Sequence, residues 1–289
     1  MRAQQCINAT RRHSLLKAAT TGWSSALHTH EVFNQSTPLS NFNLFTSDRA
    51  LRESLQHHLH GNDKEALEYL QNFGGLCGSQ TMMDTADLAE KNRPMLRQFD
   101  NYGRRIDVVD YHSSYHDLMR HAHENEVCSY GFKRGSERGS HLVRAALIYM
   151  ENQLEPGHCC PLVMTQAAIP ILNRIPQMSY IVDKIYSSTY DPRNLPIADK
   201  NGVTIGMSMT EKQGGSDVRA NTTTAKPVDP SLTGEGNAYL LTGHKVESSS
   251  SQLFPCILYT LIPHIPFIPH IYPYILALTI SSSSSHTSP

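Results

Sequence analysis

The period of the hydrophobic pattern changes near residue 191, and this change limits which folds the chain can adopt. Between residues 30 and 190, apolar side chains recur at three- and four-residue spacing, which is typical of amphipathic helices. A proline-marked segment, 191–196, interrupts that pattern. After it, apolar and polar residues alternate as in half-buried strands, over 203–209, 217–225 and 238–244. The sequence therefore predicts an α+β multidomain chain, with a helical domain over 30–190 and an incomplete β-barrel or sandwich over 191–246.

Helix boundaries follow from capping residues and stop signals. The pair Ser47-Asp48 can cap one helix and Asp63 the next, which the pair Gly74-Gly75 is expected to end. The clearest helix spans 140–154, and its predicted buried stripe is Leu142, Ala145, Ala146, Tyr149, Met150 and Leu154. Further helices are predicted over 79–91, 110–124, 161–173 and 176–188. A charged helix entrance is predicted from Arg104, Arg105, Asp107 and Asp110.

The segment from Met207 to Asp217 has the residues of a ligand-binding turn. It begins on a strand-like run and turns at Gly214-Gly215, where the missing Cβ atoms let the backbone approach a flat or anionic ligand. Two hydroxyl side chains flank the turn, Thr210 and Ser216. They can donate hydrogen bonds to ring carbonyl or phosphate oxygens. The alternative is an ordinary strand–turn–strand with polar turn residues.

Charge is unevenly distributed along the chain, although the formal net charge is −1. Four basic residues and no acidic ones precede Glu31, which leaves 21 basic against 26 acidic residues in the remainder. That balance does not favour a nucleic-acid backbone as partner. Residues 1–29, rich in Arg, Ser, Thr and Ala, are typical of a mitochondrial transit peptide, so a location in the mitochondrial matrix is expected. A disordered basic tail is the alternative for this segment, and the cytoplasm is the alternative location.

Neither the cysteines nor the histidines predict a metal site. The six cysteines lack C-x-x-C spacing and are expected to be buried small side chains rather than a disulfide framework. His112 and His116 lie four residues apart on a predicted helix, with His121 and His123 nearby, which is a conceivable metal-binding pattern. Solvated or core histidines are commoner, and no metal is expected.

The last part of the chain has a low-complexity composition. After Glu247 it contains no Asp, Glu, Lys or Arg, and serine runs flank an apolar stretch that five prolines interrupt. A membrane helix is not expected, because each proline in a helix interior costs about 3 kcal/mol. We interpret residues 247–289 as an aberrant tail from a retained intron or a mispredicted exon end, a hypothesis that sequencing the transcript beyond Lys245 would test.

Several motifs in a consistent order make residues 29–245 resemble acyl-CoA dehydrogenases, and in particular the AidB-like branch of that family. The segment from Thr210 to Asp217 is similar to the family's Thr-Glu-x-x-x-Gly-Ser-Asp signature. The other matching segments are 30–35, 102–107, 160–165 and 241–245.

The resemblance implies a fold of three parts: a helical N-terminal domain, a β middle domain and a C-terminal helical bundle, with FAD between the last two. It implies that Met207, Met209 and Thr210 line the flavin ring. Gly215 and Ser216 would approach the pyrophosphate or the thioester, so Ser216 is also the candidate substrate contact. The implied activity is that of a flavoprotein oxidoreductase of fatty-acid metabolism, which removes hydrogen across the α,β bond of an acyl-CoA thioester. The implied ligand is an acyl-CoA or fatty-acyl group, and the full-length form is expected to be a homo-oligomer. Neither nucleic acid nor a membrane is expected as a partner of this fragment.

The chain departs from the family pattern after Lys245. Val246 and Glu247 stand where the family has a Trp followed by further aromatic and small hydroxyl residues. The family's C-terminal bundle, which carries its catalytic carboxylate, has no counterpart, so no catalytic residue is assigned and Glu211 is expected to be structural. The expectation is a catalytically silent N-terminal fragment that holds FAD weakly or not at all. The alternatives are a DNA-associated protective flavoprotein and a non-catalytic regulator that binds fatty-acyl groups.

Overall fold

The computed structural model describes residues 31–59, 64–207, 209–213, 215–232, 239–244 and 256–257. The predicted transit peptide, the predicted cap Asp63 and all but two residues of the predicted tail lie outside these ranges. The chain falls into two units, Met1–Leu39 and Ser40–Pro289. In the first unit, the described residues 31–39 carry no helix or strand.

Helices form most of the second unit up to residue 186. Their bounds are α1 Leu44–Ser47, α2 Arg49–His58, α3 Lys64–Cys77, α4 Gln80–Lys91, α5 Ser113–Glu124, α6 Tyr130–Lys133, α7 Ser140–Leu154, α8 Cys159–Leu172 and α9 Ser179–Tyr186. The Asp48 carboxylate accepts a hydrogen bond from the Leu51 N–H at 2.8 Å, which confirms the predicted cap of α2. Helix α7 has the bounds that the sequence predicted. In the part of the chain that the structure describes, none of the helices has both the length and the apolar composition needed to span a membrane.

The glycine pair in α3 does not end that helix, contrary to the prediction. The helix continues to Cys77, and Gly74 is buried inside it. A Cβ atom on Gly74 would come within 2.6 Å of the backbone nitrogen of Phe45, at the start of α1. Helix α1 crosses α3 at this point, and the close approach of the two backbones leaves no room for a side chain at residue 74. The sequence alone could not show this approach.

The buried face of α7 is rotated from the predicted stripe. Ala146 and Met150 are buried as predicted, whereas Leu142 and Tyr149 are 38% and 49% exposed. The residues that α7 buries are Ser140, Val143, Ala146, Leu147, Met150 and Glu151. Two neighbouring faces of this helix have similar apolar content, and packing against the other helices decides between them.

A β-hairpin stands where the sequence predicted a charged helix entrance. Strands β1 (Met95–Phe99) and β2 (Arg105–Asp110) pair antiparallel, and Met95 lies opposite Asp110. The Asp100 carboxylate accepts hydrogen bonds from the backbone N–H groups of Tyr102 and Arg104, at 2.8 and 2.9 Å, and so forms the turn. β-branched residues in β2 favour a strand, so the helix entrance was wrong and α5 begins only at Ser113.

Short strands follow the helices, as the alternating pattern indicated. They are β3 Gly206–Met207, β4 Thr224–Pro227, β5 Tyr239–Thr242 and β6 Cys256–Ile257. Strands β4 and β5 pair antiparallel, whereas β3 and β6 pair in parallel. The second predicted strand, 217–225, begins instead with a 3₁₀ turn at Val218–Ala220. Within the described ranges these sheets remain separate pairs and close no barrel.

Candidate cofactor-binding site

The segment that leads into the Thr210–Asp217 motif is anchored on two helices. The Ile205 N–H donates to the Thr165 hydroxyl of α8 at 2.8 Å, and the Val203 N–H donates to the Lys184 carbonyl of α9 at 3.3 Å. Val203 and Ile205 are each 1% exposed and belong to an apolar cluster with residues of α8 and α9. The start of the motif is therefore fixed by the helical part of the molecule.

The turn brings Thr210 and Gly215 together. A Cβ atom on Gly215 would lie 3.3 Å from the Thr210 Cγ2 and 3.7 Å from its Oγ1. Met207, Met209 and Thr210 are half-buried, and Ser216 is exposed beside Gly215. The other half of the predicted glycine pair, Gly214, lies outside the described residues. The motif thus forms a tight turn with one partly accessible hydroxyl at its base, which suits it to hold a flat or anionic group.

Glu211 ties this turn to the strand that follows, as the structural role expected for it requires. Its side chain is buried, and its carboxylate accepts hydrogen bonds from the Thr222 and Thr223 N–H groups at 2.7 and 3.0 Å. The Thr223 hydroxyl also donates to it, and the Gln213 amide lies 3.2 Å away. These hydrogen bonds connect the turn to Thr222 and Thr223, just before the next strand.

Two further contacts fix the backbone of the turn. The Asn221 side-chain amide donates to the Met209 carbonyl at 2.9 Å, and the Lys212 N–H donates to the His244 carbonyl at 3.2 Å. The Asn221 Oδ1 atom is buried and has no hydrogen-bond partner. An unpaired buried acceptor beside Met209 is a position where an added donor would be favoured.

The predicted linker at 191–196 is tied down by hydrogen bonds. Buried Asp191 is paired with Arg193 at 2.7 Å, and the Lys200 ammonium donates to the carbonyls of both residues. The Asn201 N–H also donates to the Asp191 carboxylate, at 3.0 Å. The hydrogen bond from Arg193 holds the pKa of Asp191 well below its usual value. The pKa of Lys200 is lowered, chiefly because the ammonium group is buried.

The histidines of α5 do not converge on one point. The His112 Nδ1 lies 2.7 Å from the Ser114 hydroxyl, whereas the His116 Nδ1 lies 2.8 Å from the Tyr190 hydroxyl. His123 is buried, and burial lowers its pKa to about 4. These contacts are those of core and capping histidines.

Sequence reasoning missed a buried polar cluster in the helical core. The Glu151 carboxylate is 0% exposed, and its Oε1 lies 2.7 Å from the His158 Nε2, while the His158 Nδ1 lies 2.7 Å from Glu155. Burial alone would lower the pKa of His158, but the hydrogen bonds that its ring donates to the two carboxylates outweigh burial and raise the pKa to about 9. The sequence signal that could have revealed this cluster is the helical phase of α7, which places Glu151 on the same face as Leu147 and Met150.

Comparison with known proteins identifies relatives of this architecture. The family model described as "Adaptive response protein AidB N-terminal domain" matches residues 34–192. The chain is 38% identical over 219 residues to AidB of Escherichia coli (strain K12), which is named as a candidate acyl-CoA dehydrogenase. That alignment covers 75% of this chain and 39% of the relative.

Two solved structures share the fold. A protein described as the apo form of Bd2924 is 28% identical, with a TM-score of 0.60 over 73% of this chain and 41% of that one. Caenorhabditis elegans ACDH-11, solved in complex with C11-CoA, is 23% identical, with a TM-score of 0.60 over 75% of this chain and 36% of that one. The chain therefore spans about two fifths of the length of these proteins, and its architecture is that of the acyl-CoA dehydrogenase fold.

The expectation of a mitochondrial location is wrong. The relative identified by sequence comes from Escherichia coli, a bacterium. The same finding argues against the interpretation of residues 1–29 as a mitochondrial transit peptide. The cytoplasmic alternative is compatible with this relative.

The match to the family model, over residues 34–192, covers more than half of the chain. The chain belongs to the AidB family of acyl-CoA dehydrogenase-like proteins.

Proposed function

We propose that this chain supplies the helical domain and the first flavin-binding turn of an FAD-dependent acyl-CoA dehydrogenase of the AidB type. The contact between Thr210 and Gly215 carries the proposal, because it forms the narrow turn that the family signature uses beside the flavin. The domain boundary at residue 190 and the roles of the individual site residues stay predictions of this proposal.

The residues at the turn fit a flavin. Gly215 has no side chain at the point where a larger residue would meet Thr210, so an approaching ligand finds backbone rather than a Cβ atom. Met207 and Met209 are half-buried and offer polarizable apolar surface for a ring face. The unpaired Asn221 Oδ1 beside them can accept one hydrogen bond. Gly215 and Ser216 would hold the pyrophosphate or thioester side.

The chemistry that bound FAD supplies in acyl-CoA dehydrogenases is acceptance of a hydride from the acyl β-carbon. In this chain the Thr210 hydroxyl binds and orients the flavin ring, and Ser216 contacts the acyl-CoA thioester. Glu211 positions the turn through its hydrogen bonds to Thr222 and Thr223. No carboxylate of this chain is assigned as the base that removes the α-proton, so we expect these 289 residues to show no dehydrogenase turnover by themselves.

Flavin binding by the 289-residue chain tests the proposal. We expect the chain to quench FAD fluorescence weakly, with a Kd on the order of micromolar or weaker. Thr210→Val keeps the shape but removes the hydroxyl, and it should weaken binding about three- to tenfold, the equivalent of one hydrogen bond. Ser231→Ala, a hydroxyl in an exposed turn, is the matched control and should leave binding unchanged.

Two results would contradict the proposal. One is the absence of any quenching by a folded wild-type chain, and the other is equal quenching by wild type and Thr210→Val. Dye reduction with a panel of acyl-CoA thioesters then separates an acyl-CoA dehydrogenase from a non-catalytic acyl-binding regulator, in a protein that also contains the C-terminal helical bundle of the family.

A further inference from the structure

Three side chains from three helices converge in the helical core, away from the proposed flavin turn. They are Cys77 at the end of α3, His121 in α5 and Glu151 in α7. The Sγ, Nε2 and Oε2 atoms of these residues all lie within 4.8 Å of one another. Cys77 and Glu151 are 0% exposed, and His121 is 9% exposed.

The spacing of the three atoms is that of a coordination sphere. The Cys77 Sγ lies 3.5 Å from the His121 Nε2 and 3.7 Å from the Glu151 Oε2, and the last two atoms are 3.4 Å apart. Around a tetrahedral zinc ion, the ligand bond lengths place sulfur about 3.6 Å from nitrogen or oxygen, and nitrogen about 3.4 Å from oxygen. Each of the three distances agrees with the corresponding edge of that tetrahedron to within about 0.2 Å.

The distance between the His121 Nε2 and the Glu151 Oε2 is long for a direct hydrogen bond. An N–H···O bond to a carboxylate closes to about 2.7–2.9 Å. The other oxygen of Glu151, Oε1, lies 2.7 Å from the His158 Nε2, so the packing around this carboxylate permits short contacts. Its Oε2 nevertheless stands 3.4 Å from His121. A gap between His121 and Glu151, with the Cys77 thiol beside it, is the arrangement that an ion between the three side chains requires.

Neighbouring residues hold the three side chains in place. The Oε1 of Glu151 is fixed by His158, which Glu155 holds from the other side at 2.7 Å. The His121 ring stacks on Phe73, with ring centroids 5.3 Å apart and an interplanar angle of 11°. Partners of this kind orient metal ligands and sharpen their affinity.

We propose that Cys77, His121 and Glu151 bind a zinc ion, with a water molecule as fourth ligand. Sulfur, imidazole nitrogen and one carboxylate oxygen are ligands that zinc accepts together. One thiolate and one carboxylate neutralise the charge of the ion, which makes its burial feasible. On binding, the Cys77 thiol releases its proton to solvent, and no redox change is involved. The ion cross-links α3, α5 and α7 and so stabilises the helical core.

Cobalt(II) substitution tests the site in the 289-residue chain. The chain is purified, stripped with a chelator, and titrated with Co²⁺ and then Zn²⁺. We expect about one equivalent of Co²⁺ per chain, with the visible bands of a tetrahedral ion and a near-ultraviolet thiolate-to-cobalt band. Zinc should displace the cobalt and raise the unfolding temperature of the stripped protein.

Variants identify the ligands. Cys77→Ser should abolish the thiolate band, and Glu151→Gln should lower zinc affinity at least about tenfold. Cys128→Ser is the matched control, since Cys128 is also a buried core cysteine, with its thiol 3.4 Å from the Leu162 carbonyl. It should retain the full spectrum.

The wild-type spectrum is decisive even where a variant does not fold. A folded wild-type chain that binds cobalt without a thiolate band would overturn the proposal, because the other histidines of the chain then account for the metal. A thiolate band that survives in Cys77→Ser, or that disappears in Cys128→Ser, would overturn it as well.

Discussion

Single residues in this protein have roles that depend on burial rather than on residue type. Glu211 belongs to a sequence motif associated with cofactor binding, yet its carboxylate is occupied by donors from Thr222 and Thr223. Glu151 lies outside the buried stripe predicted for its helix, yet it is 0% exposed and contacts two histidines. In both cases the hydrogen bonds compensate for the cost of burying a carboxylate.

Replacing Glu211 tests its connecting role. Glu211→Gln keeps the size of the side chain but replaces one acceptor oxygen by a donor that faces the Thr222 and Thr223 N–H groups. We expect the free energy of unfolding to fall by about 2–3 kcal/mol, because hydrogen bonds to a buried anion are lost. Urea denaturation measures the change. Glu68→Gln, an exposed position on α3, is the control and should change stability by less than about 0.5 kcal/mol. Equal stability of both variants would contradict the role assigned to Glu211.

The elements of the structure are set by local signals, but their contacts are not. Capping by Asp48 and Ser79 places the starts of α2 and α4 where the sequence indicates them. The crossing of α1 over α3 explains Gly74, which no local rule predicts. Close helix approaches of this kind require a residue without a side chain.

Alanine substitutions in α3 separate helix propensity from packing. Gly74→Ala should destabilise the protein by about 2 kcal/mol or more, although alanine by itself favours a helix by about 1 kcal/mol. The reason is that the new Cβ meets the backbone of Phe45 at 2.6 Å. Gly75→Ala is the matched control, because its Cβ meets only the tip of the Asn43 side chain, at 3.2 Å. The unfolding temperature of Gly74→Ala should therefore be well below that of Gly75→Ala. The reverse order would show that the helices do not cross as described.

At the scale of the whole molecule, two apolar clusters connect the helices with the motif. One cluster joins α1, α2, α3, α5, α7 and α8 through residues such as Leu70 and Leu147. The other joins α8 and α9 to Val203 and Ile205, directly before the motif. Between the helices and the strands, the paired residues Asp191 and Arg193 hold the connecting segment.

The dependence of stability on pH tests this connection. The pKa of Asp191 is lowered in the folded state, so below its ordinary value of 3.8 the unfolded chain binds more protons than the folded chain. The stabilisation is therefore present above that pH and is lost as the pH falls through the lowered value. Asp191→Asn should cost about 2 kcal/mol at neutral pH, and the difference from wild type should shrink at about pH 3.

Urea denaturation at both pH values measures this difference. Asp183→Asn, at an exposed position of α9, provides the control and should match wild type at both. If Asp191→Asn lowers the free energy of unfolding by the same amount at both pH values, the charge of Asp191 does not contribute to stability.

Local sequence patterns determined much of this protein. The period of the apolar residues gave the succession of helices followed by strands, and the cap at Asp48 gave the start of α2, because both depend on interactions within a few residues. The signature from Thr210 to Asp217, together with the other ordered motifs, was sufficient to indicate the acyl-CoA dehydrogenase family, which the comparisons confirm. The bacterial relative shows that the basic composition of residues 1–29 was a poor guide to location.

Tertiary structure decided the features that depend on contacts between distant residues. The phase of α7, the continuation of α3 through Gly74 and the turn of the β1–β2 hairpin each follow from packing or from hydrogen bonds that periodicity does not encode. Cys77, His121 and Glu151 lie far apart in the sequence and share no spacing motif, so only the packing of α3, α5 and α7 brings them within 4.8 Å. The physical reason is that burial and proximity are properties of the folded core, whereas helix and strand propensity are properties of the local chain.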